Sequence, residues 1–233
     1  MDVELAMYYQ PIICLNCDQI AGCEALLRVD GNSPVEYLST LLPGALIEVT
    51  DLVVNAACDR LSYWHQFNDS LWVSVNLSSA DLADPNLITR VCLAASRHGA
   101  PTRLIHLEIS ETTPIDQRAL DTLHRLRDLG FRLALDDFGA SLAGLDRLAA
   151  FEWDLTKIDK SLLPENGRDW RYSAVIDSLG ALCRELGGRL CCEGIESQWQ
   201  ADQAKESGCE LGQGWLWYPA LPADQILSHT LIV

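Results

Sequence analysis

The chain reads as an α/β protein, a TIM-like (β/α)8 barrel modified by an antiparallel first strand. Three observations lead there. From residue 71 onward, short apolar runs alternate with amphipathic stretches. The chain opens on two strand-like runs joined by a tight turn, with no helix between them. Most of the apolar runs end on a carboxylate or an amide, and in an alternating strand–helix chain the C-terminal ends of the strands converge on one face. A length of 233 residues is within the one-domain range for such a barrel. No low-complexity linker divides residues 1–233, which are read as a single domain.

The elements follow in order. Tyr8–Cys14 and Gln19–Arg28 form a hairpin about Asn16, Cys17 and Asp18. Helices are expected around Val35–Leu42 and Leu46–Phe67. Strands are expected at Leu71–Leu77, Leu104–Ser110, Phe131–Asp136, Asp154–Asp159, Arg189–Glu193 and Glu210–Gln213. The stretch Ile115–Leu129 is apolar at 115, 119, 120, 123, 126 and 129, a helical period. Glycine follows the last periodic residue at Leu129-Gly130 and Leu186-Gly187-Gly188, a helix stop. Asp84-Pro85 and Thr113-Pro114 mark helix starts, with proline at or near the first turn.

Composition narrows the function classes. Hydrophobic residues make up 48% and charged residues 21%, ordinary for a globular protein. No apolar run approaches the ~18–20 residues that cross a bilayer, and the acidic start MDVELAMYYQ lacks a basic signal-peptide head. A cytoplasmic protein without membrane insertion is expected. A net charge of −16 argues against binding long nucleic acid. A small phosphate ligand stays open, because local cations can invert the potential of one pocket. Nine cysteines, an odd count, read as reduced thiols. Cys14 and Cys17 have CxxC spacing but straddle the hairpin turn, and no second pair completes a zinc set. Cys191 and Cys192 read as small strand hydrophobes.

The polar residues that end the apolar runs carry the chemistry. They are Glu24 in GCEALLR, Asn76 in LWVSVNL, Glu108 in LIHLEIS, Asp136 and Asp137 in FRLALDDFG, and Glu193 in RLCCEGIE. Hard oxygen donors from several strands suit a divalent cation. Positions 76, 108, 136, 157, 193 and 213 recur at mostly βα-unit intervals, as if each strand contributed one residue to a common mouth. Taken singly, each has an ordinary reading: a helix cap or solvated turn for Asp137, a turn for Asn76, an exposed charge for Lys157, a structural ion pair for Arg28. Their joint order is what calls for one site.

That order resembles the EAL domain, a bacterial cyclic di-GMP phosphodiesterase. The matching blocks are Tyr9-Gln10-Pro11-Ile12, Glu24-Ala25-Leu26-Leu27-Arg28, Val75-Asn76-Leu77-Ser78 and Leu107-Glu108-Ile109-Ser110-Glu111. They continue with Leu135-Asp136-Asp137-Phe138-Gly139, Lys157-Ile158-Asp159-Lys160, Cys192-Glu193-Gly194-Ile195-Glu196 and Gly208-Cys209-Glu210-Leu211-Gly212-Gln213-Gly214. The resemblance implies two divalent cations, Mg²⁺ or Mn²⁺, one held by Glu24, Asn76, Glu108 and Asp136 and the other by Asp136, Asp137 and Glu193. Two such ions can activate a water and offset phosphoryl charge. It implies a catalytic group of Glu193, Lys157, Glu196 and Gln213, with Lys157 on the attacking water and Glu193 as base or base-like ligand. Substrate contacts would come from Gln10, Leu27, Arg28, Asn76, Asp136 and Pro219, and Glu111 would anchor the loop after the Asp pair. The ligand implied is cyclic di-GMP; a homodimer and a regulatory protein partner are further partners the resemblance admits.

The chain departs from the family at three places. The loop DFGTGYSSL is here Asp137-Phe138-Gly139-Ala140-Ser141-Leu142-Ala143-Gly144-Leu145, and serine in place of the second glycine removes easy access to positive φ. The PxxFIPxAExxG block is reduced around Pro34–Leu38. The closing QGYxFGxP becomes Gln213-Gly214-Trp215-Leu216-Trp217-Tyr218-Pro219, where Trp215 and Trp217 read as core or rim packing in preference to stacking platforms. Purine stacking stays open for Trp217. The expected activity is hydrolysis of cyclic di-GMP to linear pGpG. The alternatives are a receptor or protein-interaction module of the same fold with little or no turnover, and a hydrolase of another cyclic dinucleotide.

Overall fold

Eight strands close into a barrel in a computed structural model that describes residues 3–140, 144–163 and 170–230. Strand β1 (Leu5–Cys14) and β2 (Gln19–Val29) form an antiparallel hairpin, turned at Asp18 with φ 55°. Helices α1 (Val35–Ser39) and α2 (Pro43–Trp64) follow, then β3 (Trp72–Leu77), α3 (Ser79–Ala83), α4 (Leu87–His98) and β4 (Ile105–Ser110). The chain continues through α5 (Gln117–Asp128), β5 (Arg132–Phe138), α6 (Gly144–Ala150), β6 (Leu155–Ile158), α7 (Trp170–Glu185) and β7 (Arg189–Cys192). It ends with α8 (Gln198–Glu206), β8 (Leu211–Gly212), β9 (Leu221–Pro222) and α9 (Ala223–Thr230). Strands β2 to β8 run parallel in sequence order, and β1 joins β8 to β2 with antiparallel pairing on both sides. The short β9 pairs with β1 at Tyr8 and Tyr9. This is the TIM-like barrel with an antiparallel first strand that the sequence predicts.

Most expected elements, the two proline-marked helix starts included, fall within a few residues of those observed. Pro85 lies outside α4, and Pro114 lies upstream of α5. The start of α5 is set by Asp116, whose side chain accepts from the Ala119 N–H at 2.9 Å. A capping carboxylate supplies an acceptor for an orphan helix donor, which a proline cannot do. The sequence-expected strand ends at Glu193 and Gln213 lie one residue past β7 and β8. Their backbone N–H groups still donate to Ile158 and Cys192 at 3.0 and 2.8 Å.

Alternation along the strands builds the mouth. Successive strand side chains point to opposite faces. Ile12, Trp72, Ala134, Leu155, Cys191 and Leu211 pack together as a core cluster of their own, apart from the main core in which the alternate strand residues meet the helices. Two residues toward the mouth from these six come Gln10, Ser74, Asp136, Lys157, Glu193 and Gln213. On β1 the step runs backward in sequence, because that strand is antiparallel. Gln10 therefore pairs directly with Glu24.

The interior is packed to contact below the mouth. The Trp72 indole stacks on the His106 imidazole with ring centres 4.1 Å apart and an interplanar angle of 14°. Burial first, then the charges of Arg189 and Arg132, push that imidazole down to about 3, so it serves as a neutral aromatic plate. Gly22 makes room for the indole: a Cβ there would lie 2.2 Å from Trp72 Cδ2. Gly22→Ala therefore forces the ring pair apart and should cost about 1–3 kcal/mol, the usual range for overpacking. Urea denaturation checks this through a lowered midpoint at unchanged m-value.

Candidate active site

One ammonium holds the centre of the mouth. Lys157 Nζ, on β6, lies 2.7 Å from Glu193 Oε1, 3.0 Å from Glu108 Oε2, 3.0 Å from Asp136 Oδ1 and 3.3 Å from Glu24 Oε2. Its side chain is 1% exposed. Burial alone would pull its pKa down, but Asp136, Glu108, Glu193 and Glu24 outweigh burial and hold it well above the ordinary lysine value. Lys157 is thus charged at any physiological pH.

One positive charge cannot balance four carboxylates. Burial pushes Glu108 well above the ordinary range, and Glu24, Asp136 and Glu193 add to it against Lys157. Glu193 is pushed up to about 8 by burial, opposed by Lys157 and reinforced by Asp136 and Glu24. Burial and Asp136 raise Asp137 as well. Glu24 goes the other way: burial raises it, but Lys157 and hydrogen bonds from Gln213 and Asn76 bring it below the usual value. A cluster with this excess of negative charge favours bound cations.

The donor set fits hard divalent ions. Glu24, Glu108 and Asp136 each offer an oxygen within 4.8 Å of the others, and so do Asp136, Asp137 and Glu193. Asp136 belongs to both groups. Glu108 Oε1 is buried and accepts no hydrogen bond, the kind of orphaned anionic oxygen that a cation satisfies. Asn76 Nδ2 donates to Glu24 Oε1 at 2.8 Å, which leaves its Oδ1 as the atom available to an ion. Every donor is an oxygen, the chemistry of Mg²⁺ or Mn²⁺ sites.

Asp136 and Asp137 are neighbours on one strand and should face opposite sides. A register shift between Leu135 and Phe138 and a left-handed φ of 55° at Asp137 break the alternation. Both carboxylates thereby reach the mouth. Ser110 Oγ donates to Asp137 Oδ2 at 3.3 Å. Buried Glu111 accepts from the Gly139 N–H at 3.0 Å, where φ is +95° and an added Cβ would meet Leu162. Glu111, the expected loop anchor, thus contacts the first turn of that loop at Gly139. Of the altered loop, Ser141–Ala143 lie outside the described residues.

The remaining candidates divide between two clefts. Gln10, Glu24, Glu193, Glu196 and Gln213 line an open cleft of about 260 Å³ together with Asp159, Lys160, Gly194, Gly214 and Trp215. Gln213, itself buried, donates from Nε2 to Glu24 Oε2 at 2.9 Å; Gln10 Nε2 donates to the Tyr218 carbonyl at 3.4 Å. Leu27, Arg28 and Asn76 line a separate cleft of about 490 Å³, walled by Val35, Leu38 and Leu46. Arg28 Nη1 donates to the Leu27 carbonyl at 2.9 Å, and its guanidinium sits over the Tyr8 ring. The Glu24–Asn76 hydrogen bond joins the two clefts. Pro219 is exposed and lines neither. Lys160, Gly194 and Trp215 were not among the expected site residues. Lys160 and Gly194 had a signal, since each lies inside one of the matched blocks.

A family model described as the EAL domain matches residues 2–220. An uncharacterized signaling protein of Caulobacter vibrioides is 32% identical over 237 residues, which cover 98% of this chain and 29% of that protein. MucR of Pseudomonas aeruginosa, a bifunctional diguanylate cyclase/cyclic di-GMP phosphodiesterase, is 30% identical over 239 residues, 97% of this chain and 34% of MucR. The chain therefore spans about a third of either relative's length. The solved EAL enzyme Bd1971, in its form with cAMP and cyclic-di-GMP bound, superposes with a TM-score of 0.90 at 26% identity, over 97% of this chain and 65% of that one. The PaMucR phosphodiesterase in complex with c-di-GMP gives 0.85 at 27% identity, over 95% and 94%. With this barrel, this carboxylate cluster and a family match over nearly its whole length, the chain belongs to the EAL domain family.

Proposed function

We propose that this chain is a divalent-metal-dependent phosphodiesterase that hydrolyses one 3′–5′ phosphodiester of cyclic di-GMP to give linear pGpG. The observation that carries the reading is the pair of oxygen triads sharing Asp136 around a buried lysine. Support for the substrate comes from the solved relatives that hold cyclic di-GMP. Glu24, Asn76, Glu108 and Asp136 would hold one cation, and Asp136, Asp137 and Glu193 the other, each Mg²⁺ or Mn²⁺. Bound there, such cations supply a water of lowered pKa and offset the charge on the phosphoryl oxygens.

The chain's own groups divide the remaining work. Lys157 keeps its protons, so it acts as a hydrogen-bond donor that positions the attacking oxygen and is no base. Glu193 is the carboxylate suited to accept the proton: its side chain is 19% exposed toward the cleft, whereas Glu108 is fully enclosed. Gln213 and Asn76 fix the Glu24 carboxylate by donating to one oxygen each. Glu196 and Gln10 line the same cleft, and Leu27 and Arg28 line its neighbour, where they would meet the substrate away from the bond that breaks. We read residues 1–233 as one functional unit. All nine cysteines are unpaired, which supports a reducing compartment such as the cytoplasm. Among the described residues no helix is long and apolar enough to cross a membrane. The altered loop at 140–144 favours a second reading, a receptor that binds the dinucleotide without turning it over.

Purified protein incubated with cyclic di-GMP should release pGpG with Mg²⁺ or Mn²⁺ and none with chelator. Glu193→Ala should lower kcat by about 10²–10⁴-fold, the range for removing a general base. Binding of intact ligand without turnover would favour the receptor. In chelator, Lys157→Met should lose about 3–5 kcal/mol, because it leaves buried carboxylates without their cation. Added Mn²⁺ should then raise the melting temperature of Lys157→Met more than that of the wild type, read by thermal denaturation.

A further inference from the structure

The loop after β7 seats two side chains beside Glu193 that the phosphodiesterase chemistry does not use. Gly194, with φ +67°, has no side chain where the stem of Lys160 lies: a Cβ there would come 2.5 Å from Lys160 Cβ. The next residue, Ile195, clips the turn that carries Trp215. Its N–H donates to the Gln213 carbonyl at 3.0 Å and its carbonyl accepts from the Leu216 N–H at 3.0 Å. A Cβ on Gly214 would fall 2.0 Å from the Ile195 carbonyl oxygen, so the turn lies flat against it. Glu193, Lys160 and Trp215 are thus held by three consecutive residues of one backbone segment.

What these two side chains present is unusual for the surface. Trp215 is 73% exposed and lines the cleft. Trp217, two residues on, packs against the core. Of the core or rim placement expected for both tryptophans, Trp217 takes the core side and Trp215 the rim, where it is displayed toward the opening. Lys160 lines the same cleft beside Asp159, Glu193 and Glu196. Among the described residues no carboxylate lies within ion-pair distance of its ammonium, although the chain carries 33 acidic side chains. An unpaired cation and a bare indole lining one cleft at the active-site rim suit an anionic ligand with a flat aromatic part.

Resting on the phosphodiesterase reading, we propose that Trp215 is the stacking platform for one nucleobase of the substrate and Lys160 the contact for its non-reacting phosphate. A cyclic dinucleotide carries two phosphates. One must lie at the carboxylate cluster, and the other needs a cation in a mouth that is otherwise acidic. An indole face accepts any base but favours the larger purine surface, and a base–aromatic stack contributes about 1–3 kcal/mol. The pair therefore sets affinity and base preference and leaves the bond-breaking step to the cluster.

The test is steady-state hydrolysis of cyclic di-GMP in Mn²⁺ by the wild type and by Trp215→Ala, Trp215→Phe, Lys160→Met and Trp170→Ala. Trp170 is 67% exposed but lines no part of this cleft, and serves as the control. Trp215→Ala should raise KM about 10-fold with kcat within about twofold, within the range for one lost stack. Trp215→Phe should recover most of that loss, and Trp170→Ala should change nothing. Lys160→Met should raise KM and weaken its dependence on salt. Ligand-induced quenching of tryptophan fluorescence should drop in Trp215→Phe at equal saturation. An unchanged KM in Trp215→Ala, or a fall in kcat alone, overturns this inference while leaving the phosphodiesterase standing. Binding without turnover by the wild type moves the same comparison to Kd. A wild type that neither binds nor cleaves the dinucleotide overturns both.

Discussion

Everything at the mouth of this barrel depends on a lysine buried among four carboxylates. An ammonium taken out of water is costly, and so is each carboxylate; together they persist only because their geometry is close and their remaining oxygens find donors. Lys157 lies on β6, and Glu24, Glu108 and Asp136 reach it from three other strands and Glu193 from the residue after β7. Its single charge leaves the cluster strongly negative. That imbalance makes the site a cation trap as well as an ion pair, and Asp136 can serve two ions because it lies where both triads meet.

The scaffold holds this imbalance in place through ordinary strand geometry. The hydrophobic floor of Ile12, Trp72, Ala134, Leu155, Cys191 and Leu211 fills the barrel below, so the polar layer above it cannot sink to relieve repulsion. Strand pairing fixes the spacing between neighbours: Asn76 lies opposite Glu108, and Gln10 opposite Glu24. The break in alternation at Asp137 is made by a bulge and a left-handed backbone. Aspartate tolerates that conformation better than most residues. Sites built on strands in this way are held more tightly than sites built on loops.

Much of this was legible in the residues. Alternating apolar runs gave the strands, and the polar residue at the end of each run marked the mouth, because the period of a strand is fixed at two. The proposed ligands Glu24, Asn76, Glu108, Asp136 and Glu193 all follow that rule. Asp137 does not: it reads as ending the same run as Asp136, and the bulge that turns it to the mouth is not visible in the residues. The prolines marked the neighbourhood of two helix starts, and the exact start of α5 is set two residues past Pro114 by the Asp116 cap. Arg28 and Leu27 are near Glu24 in sequence but open into the neighbouring cleft, a separation that depends on how α1 and α2 cover β2. Trp215 was missed because composition cannot tell a packed indole from a displayed one. That distinction comes from Gly214 lying flat against Ile195.

The central claim is that Asp136 is shared by two cations in one carboxylate cluster. Titration of Mn²⁺ into the metal-free protein, followed by electron paramagnetic resonance, tests it without relying on turnover. The account predicts two ions per chain whose spins couple through close approach, with the coupling lost in Asp136→Asn. Two magnetically independent ions, a single ion, or none would contradict it.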